Sequence, residues 1–287
     1  MDQRLRNLKT ELYLSTKTST LDIQKYYSKN SEDLRHLQQQ LEFGICSQLL
    51  HQYLQNKTLN ILEVGAGAGY YTELLAKMGH SVTVVEPVQA LNQVSQRNLK
   101  TQSLDKNVIW IEADARDLNS EKLKGQSFEL ILNMGPMYHL FESEEHRSVL
   151  NQLKSLLKPE GLLMSVFLSR VGFVSYLLSR QPEALLNDPE GFRDVLTVGF
   201  NKGHPQDGTF RGYFTNLQEL ATLHDQCGLQ IAKIHVLDPC VGGTDEIFNR
   251  LTGDMKKAWL EVLCALSADP SFWNSGRTWM VVSNKSG

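Results

Sequence analysis

The spacing of apolar residues changes near position 59, and that change divides the chain. Before it, Leu34, Leu37, Leu41, Ile45, Leu49 and Leu54 recur at intervals near three and four, which predicts one amphipathic helix face. Ser31 is the expected N-cap of that helix, with Glu32 and Asp33 in its first turn, and the polar stretch QNKT ends it. After it, short apolar runs alternate with helical patterns. LNILEV, SVTVVEP, NVIWIEA, FELILNMG and LLMSVFL read as five buried strands. The intervening helices run from about Tyr70 to Lys77, closed by Gly79, then over 88–102, then along SEEHRSVLNQLKSLL with Ser143 as cap and KPEG as terminator.

Strands and helices alternating at this length predict a parallel sheet with right-handed crossovers. Residues 169–214 break the rhythm. RQPEALLNDPEGF and NKGHPQDGTFRGYF mix Pro, Gly and aromatics and read as short helices and loops over the ligand-binding edge of the sheet. The sheet then resumes. Asn216 and Glu219 form the capping-box pattern of a helix to about Cys227, LQIAKIHVLD is a sixth strand, a helix covers roughly 244–266, and TWMVVSN is the last strand. With no long crossover after 266, strands six and seven are expected to pair antiparallel. The expected fold is α/β, a doubly wound, seven-stranded, mostly parallel sheet. Residues 1–58 form an N-terminal helical lid, 59–168 the ligand-binding core, 169–214 a cap insertion and 215–287 the C-terminal part of the sheet domain.

Composition narrows the class. A hydrophobic fraction of 41% and a charged fraction of 21% fit a soluble globular chain. No apolar run reaches the roughly 18 residues of a membrane span, and the first twenty residues lack the apolar core of a signal peptide. The net charge is −3 and basic residues form no stripe, so no nucleic-acid partner is expected. Cys46, Cys227, Cys240 and Cys264 form no CxxC pair and have no His at ligand spacing. They read as reduced cytoplasmic thiols, with no metal site.

The candidate chemistry begins at ILEVGAGAGYYTEL. Gly65, Gly67 and Gly69 follow the first strand, where one glycine allows the tight turn, another admits backbone to a ligand, and the next helix offers its N-terminus. A dinucleotide fingerprint would place its third glycine one position later than Gly69. Glu63 adds a carboxylate that would repel a pyrophosphate and suit an ammonium group. Glu86 ends the second strand, where an acid accepts from ribose hydroxyls. Asp114, with the Ala115 amide beside it, follows the third strand and is placed for an adenine amine. Asn133 ends the fourth. Four successive strands thus close on acidic or amide residues at one edge.

That series, carried by ILEVGAGAGYYTELLAKMGHSVTVVEP, EADARDL, FELILNMGPMYHL and LKPEGLLMSVF, resembles the successive motifs of class I S-adenosylmethionine-dependent methyltransferases over about 60–168. GPMYHL and YYSKNSEDLR further resemble a bacterial subgroup acting on small molecules. The resemblance implies S-adenosyl-L-methionine as cofactor and a Rossmann-like core over 59–168 that binds it. Glu63, Gly65, Gly67 and Gly69 would hold its methionine part, Glu86 and Pro87 the ribose, Asp114 and Ala115 the adenine. Asn133 and Met134 would lie beneath the sulfonium. It also implies that the N-terminal helix folds over the cofactor, so that Tyr26, Tyr27 and Arg35 reach its carboxylate.

Methyl transfer from a sulfonium is an in-line displacement for which the protein aligns the acceptor, excludes water and, for some acceptors, removes a proton. Tyr138 and His139 stand beside the end of strand four and are the catalytic candidates, His139 as base and Tyr138 also as pocket wall. Arg170, Tyr176, His204, Arg211 and Tyr213 in the insertion are the candidate acceptor contacts. Strand four is followed by NMGP rather than an N-P-P-Y tetrad, which disfavours methylation of a nucleobase or glutamine amide. The expected reaction is methyl transfer to O, N or S of a small molecule. Cyclisation or transfer of another group from the same cofactor, macromolecule methylation and a non-catalytic binding module remain open. A nicotinamide oxidoreductase is disfavoured by Glu63 and the early third glycine. Oligomeric state is not legible.

Overall fold

Neighbouring residues along each central strand are buried in opposite layers, and this alternation makes the sheet the middle of the molecule. The computed structural model describes residues 23, 26, 27, 35–54, 57–119, 121–201, 210–239 and 244–286. Its strands are β1 (Asn60–Val64), β2 (Ser81–Val85), β3 (Val108–Ile111), β4 (Phe128–Asn133), β5 (Leu157–Ser169), β6 (Phe200–Asn201), β7 (Gly212–Thr215), β8 (Leu229–Val236) and β9 (Thr278–Lys285). The helices are α1 (Arg35–Gln38), α2 (Gln40–Tyr53), α3 (Tyr70–Lys77), α4 (Gln89–Thr101), α5 (Ser143–Leu156), α6 (Arg170–Arg180), α7 (Ala184–Asn187), α8 (Pro189–Val198), α9 (Leu217–Gln226), α10 (Thr244–Arg250) and α11 (Gly253–Leu266).

The main sheet runs β3-β2-β1-β4-β5-β9-β8, parallel from β3 to β5, with β9 antiparallel to both β5 and β8. The two last strands therefore pair as the sequence indicates. Ile61, Leu130, Leu132, Met164 and Met280 face one apolar layer with α2 and α3. Leu62, Ile131, Leu163, Trp279 and Val281 face the other with α5 and α9. Among the described residues no helix is long and apolar enough to cross a membrane.

The structure departs from the sequence reading at several local points. The KPEG stretch lies inside β5, where the β4–β5 register shifts, so no turn separates α5 from its strand. Glu142, not Ser143, caps α5: its side chain and that of Glu145 each accept from the other's backbone N–H. Asn216 does cap α9, accepting from the Glu219 N–H at 2.9 Å, but the Glu219 carboxylate turns away to Arg170. The 244–266 helix is two helices, interrupted before Gly253, whose φ of +55° departs from helical backbone. Leu37 is exposed, while Leu41, Ile45, Leu49 and Leu54 are buried. Ser31 and Leu34 lie outside the described residues.

Residues 169–214 contain an unanticipated ribbon. β7 pairs parallel with the end of β5 through Leu168 and Ser169, and β6 pairs antiparallel with β7. Leu168 also pairs with Thr278 of β9, so β7 occupies the edge of β5 that β4 vacates. The ribbon thereby sits just past the carboxyl end of β4. Helix α6 leaves β5 through a close contact: a Cβ on Gly172 would stand 2.0 Å from the Gly276 carbonyl oxygen. Backbone on both sides limits relief. Gly172→Ala is therefore expected to lower stability by roughly 1–3 kcal/mol, measured by thermal denaturation, whereas Gly125→Ala meets no neighbour and costs only the strain of its positive φ.

Candidate active site

The turn after β1 is fixed from two sides. The Gly65 N–H donates to the Val85 carbonyl at 2.8 Å, and the Gly67 N–H donates to the Glu86 carboxylate at 2.9 Å. Gly65, Gly67 and Gly69 all have positive φ, the region glycine adopts freely. Two also permit close packing: a Cβ would stand 2.6 Å from Pro136 Cδ at Gly65 and 2.0 Å from Ser95 Oγ at Gly69. The turn thus rests on both the segment after β4 and helix α4. Gly69 then serves as the N-cap position of α3.

Glu86 is buried and receives a second backbone donor, the Val88 N–H at 2.9 Å. Asn92 donates to its carbonyl, locking the start of α4 to the end of β2. Beyond β3, Asp114 accepts from the Arg116 backbone N–H and from Nε and Nη2 of the same arginine at 2.8–2.9 Å. Arg116 also pairs with Glu145 at 3.3 Å, so α5 braces this loop. After β4 the chain makes a short 3-10 turn, Pro136–His139, that buries Met137, Tyr138 and His139.

These segments enclose a cavity of about 360 Å³. Its wall includes Gly65, Gly67, Gly69, Glu86, Pro87, Asp114, Ala115, Met134, Tyr138 and His139, with Tyr27 and Arg35 from the N-terminal helices. It is within the ordinary size range for small-ligand sites. Tyr27 Oη lies 2.9 Å from His139 Nε2, joining the N-terminal segment to the turn after β4. Burial pushes His139 down to about 4, with the Arg211 backbone opposing and the Arg35 charge reinforcing. The imidazole is therefore neutral near neutral pH. Arg35 donates to Gln39 and Glu42 while facing the cavity.

Several expected site residues stand elsewhere. Glu63 is fully buried behind the cavity and accepts from Thr72 Oγ1 at 2.6 Å. Burial raises its carboxyl to about 8 against the lowering effect of Thr72, with the Glu86 charge adding to the rise. Asn133 is also fully buried and donates to Ser165 Oγ at 3.3 Å. Tyr26 contacts Tyr27 and Phe210 edge-on but does not line the cavity. Arg170 is held by Glu219 at 2.8 and 2.9 Å and by the Phe214 carbonyl. Tyr213 donates to the same Glu219 and packs on His146, and its hydroxyl is pushed up to about 12 by burial and the Glu219 charge. Tyr176 lies under the Arg277 guanidinium at 4.6 Å, and Arg211 lies over Phe141 at 5.2 Å. His204 lies outside the described residues.

The structure adds residues that the sequence reading missed. Phe43 on α2, Leu91 and Asn98 on α4, and Arg116 all line the cavity. The Phe210 ring centroid lies 5.8 Å from that of His139 and 6.2 Å from that of Tyr138. Arg116 was findable, since it sits two residues from Asp114 on the same loop. Phe43 and Phe210 depend on tertiary packing and carry no local signal.

Comparison with known proteins agrees with this geometry. Residues 61–161 match the family model described as a methyltransferase domain. Nodulation protein S of Sinorhizobium fredii is 33% identical over 116 residues, 40% of this chain and 50% of that protein. A ubiquinone biosynthesis O-methyltransferase of Rhizobium leguminosarum bv. trifolii is 26% identical over 39% of this chain and 41% of its own length. The chain thus matches half or less of the length of these curated relatives. Among solved structures, N-methyltransferase NodS from Bradyrhizobium japonicum WM9 with S-adenosyl-l-homocysteine superposes with a TM-score of 0.55 at 14% identity, covering 94% of this chain and 100% of that one. The 1,6-didemethyltoxoflavin-N1-methyltransferase of Burkholderia thailandensis gives 0.56 at 16%, covering 93% of this chain and 88% of that one. At these identities the structural likeness speaks to the fold. Together with the strand order it gives a Rossmann-like methyltransferase fold, within which residues 61–161 match a methyltransferase domain.

Proposed function

We propose that the chain transfers a methyl group from S-adenosylmethionine to an O, N or S nucleophile of a small molecule. The observation that carries this reading is the cavity at the carboxyl ends of β1, β2, β3 and β4, walled by the glycine turn and the buried Glu86 carboxylate. The residues fit the cofactor. Glu86 is held by two backbone amides with its carboxylate in the wall, the arrangement that would accept from ribose hydroxyls. Asp114 and Ala115 would meet the adenine edge, with Arg116 fixing the Asp114 carboxylate. Gly65, Gly67 and Gly69 keep the wall free of side chains, while Tyr27 and Arg35 are placed for a carboxylate. When bound, the cofactor supplies an electrophilic sulfonium methyl.

In this proposal residues 1–58 act as a lid, 59–168 bind the cofactor, 169–214 cap the acceptor side and 215–287 complete the sheet. Tyr138 and His139, with Phe210 and Tyr26 behind them, shape the space next to Met134. A neutral His139 offers a lone pair instead of a charge, with little driving force as a base. That suits an amine or thiol nucleophile that needs little help with its proton.

Incubation with S-adenosylmethionine and a panel of phenols, amines and thiols is expected to yield a product heavier by one methyl group, with S-adenosylhomocysteine as co-product. A different mass gain, or methylthioadenosine, contradicts the reading. Glu86→Ala is expected to weaken S-adenosylhomocysteine binding roughly 10- to 100-fold, the loss of a buried charge-assisted contact pair. Calorimetric titration reads this directly, and an unchanged dissociation constant removes the assignment.

Glu63 generates a pH prediction. Its folded-state pKa, about 8, is above the unfolded value, so it contributes stability that is full below the ordinary carboxylate pKa and lost as pH rises through about 8. Burial of His139, and of His235 near Tyr53 and Ser267, works in the opposite sense, because both are lowered to about 4 and their contribution is lost as pH falls through that value. The difference between wild type and Glu63→Gln isolates the carboxyl. The variant is expected to gain about 1–3 kcal/mol relative to wild type between pH 5 and 8, followed by chemical denaturation at each pH. A pH-independent difference contradicts the assignment.

A further inference from the structure

The helical segment that carries Arg35 is interrupted. At Gln39 the backbone leaves helical geometry, with φ −114° and ψ 49°, and this residue divides α1 from α2. The Arg35 side chain spans the break. It donates from Nε to Gln39 Oε1 at 2.7 Å and from Nη2 to Glu42 Oε1 at 3.1 Å, while lining the cavity. Phe43, next to Glu42, lines the same cavity. Helices α10 and α11 support the two sides of the break, Asn249 donating to the Gln38 carbonyl at 2.8 Å and Lys256 to the Gln40 side chain. Glu42 is only 5% exposed, yet it is poorly compensated. Its Oε2 has no hydrogen-bond partner among the described residues. Arg277, just before β9, stands 3.9 Å from that oxygen, and its Nε likewise has none. Arg277 is held instead over the Tyr176 ring at 4.6 Å and beside Asp238 at 3.7 Å. A buried acid so loosely paired adds little to stability, because apolar residues in its place often do as well. Its one firm contact is to an arginine of the cavity wall.

We propose that Glu42 is a positioning residue: across the break at Gln39 it fixes Arg35 so that the guanidinium meets the carboxylate of the cofactor's amino-acid end. This role rests on the reading of the cavity as an S-adenosylmethionine site with Arg35 placed for that carboxylate. The planar fork of arginine is selective only when its plane is held, and a long side chain loses much rotamer freedom on being held. Gln39 and Glu42 impose that order before the ligand arrives. Without the Glu42 charge, Arg35 and Arg277 repel each other with nothing between them. Arg35 is the more exposed of the two, at 28% against 15% for the side chains, so it is the one that moves outward. An opposing effect, weaker repulsion of the ligand carboxylate, is small. The amino-acid end of the ligand is zwitterionic, and a charge beyond Arg35 acts on both its ends with opposite sign.

Calorimetric titration of the full chain with S-adenosylhomocysteine and with methylthioadenosine tests the proposal, since the second ligand keeps the adenosine and lacks the amino-acid end. Glu42→Gln is expected to weaken S-adenosylhomocysteine binding roughly 10-fold and to leave methylthioadenosine within about twofold of wild type. Retained methylthioadenosine binding also shows that the variant folds. Glu42→Asp keeps the charge but withdraws it from Arg35 by one methylene. It is expected to give the same selective loss in milder form, and it serves if Glu42→Gln does not fold. Arg35→Ala is expected to lose S-adenosylhomocysteine selectively as well, and combining it with Glu42→Gln should cost nothing further, because both act through one contact. Glu42 variants that weaken both ligands equally, as a purely structural role would, or that weaken neither, overturn the proposal. So do additive losses in the double variant. A wild type that binds neither ligand removes the cofactor reading and this role with it, whereas a wild type that binds both, with Glu42 variants indifferent, removes this role alone.

Discussion

The hydrogen bond from the Gly67 N–H to the Glu86 carboxylate is the constraint on which the rest of the site depends. It ties the turn after β1 to the end of β2 across the position where those strands separate. A buried carboxylate is costly unless its oxygens are satisfied. Here Gly67 and Val88 each supply a backbone donor at 2.9 Å, and charge-assisted bonds of this kind contribute about 1.5–3 kcal/mol each. The turn held in this way can then accept Pro136 against Gly65 and Ser95 against Gly69, which draws the segment after β4 and helix α4 to the same wall. The cavity is what remains between them.

The same arrangement explains why Glu63 and Glu86, both buried, behave differently. Glu86 has two amide donors, whereas Glu63 has one hydroxyl, from Thr72, and its Oε1 has no hydrogen-bond partner among the described residues. Two acids so close and so poorly solvated do not both ionise cheaply, and the less satisfied one keeps its proton. Glu63 thus supports the first turn of α3 from behind and stays out of the cavity. Its effect on a cationic ligand would be exerted through the turn it braces.

Much of this was legible in the sequence, for identifiable reasons. The strand, turn and helix order follows from short apolar runs and glycines, and Gly65, Gly67, Gly69, Glu86 and Asp114 are local in character, each at a strand end. Glu63 and Asn133 are also near strand ends, but residue type does not reveal which way a side chain leaves the pleat. Glu63 points into the α3 layer, and Asn133 points sideways to Ser165. The 169–219 stretch was the least legible part. Arg170, Tyr213 and Glu219 have the composition of a binding surface, yet they satisfy one another once α6, β7 and α9 meet. Phe210, in a Gly-rich stretch, reaches the His139 ring instead. Such contacts arise from the β5–β7 pairing, which no local pattern encodes.

The wall formed by the Gly67–Glu86 tie is expected to bind an adenosyl amino acid and not a dinucleotide. Isothermal titration of the wild-type chain with S-adenosylhomocysteine and, separately, with NAD tests it most directly. The account predicts saturable one-to-one binding of S-adenosylhomocysteine and no heat of binding with NAD. Saturable NAD binding with no response to S-adenosylhomocysteine would contradict it.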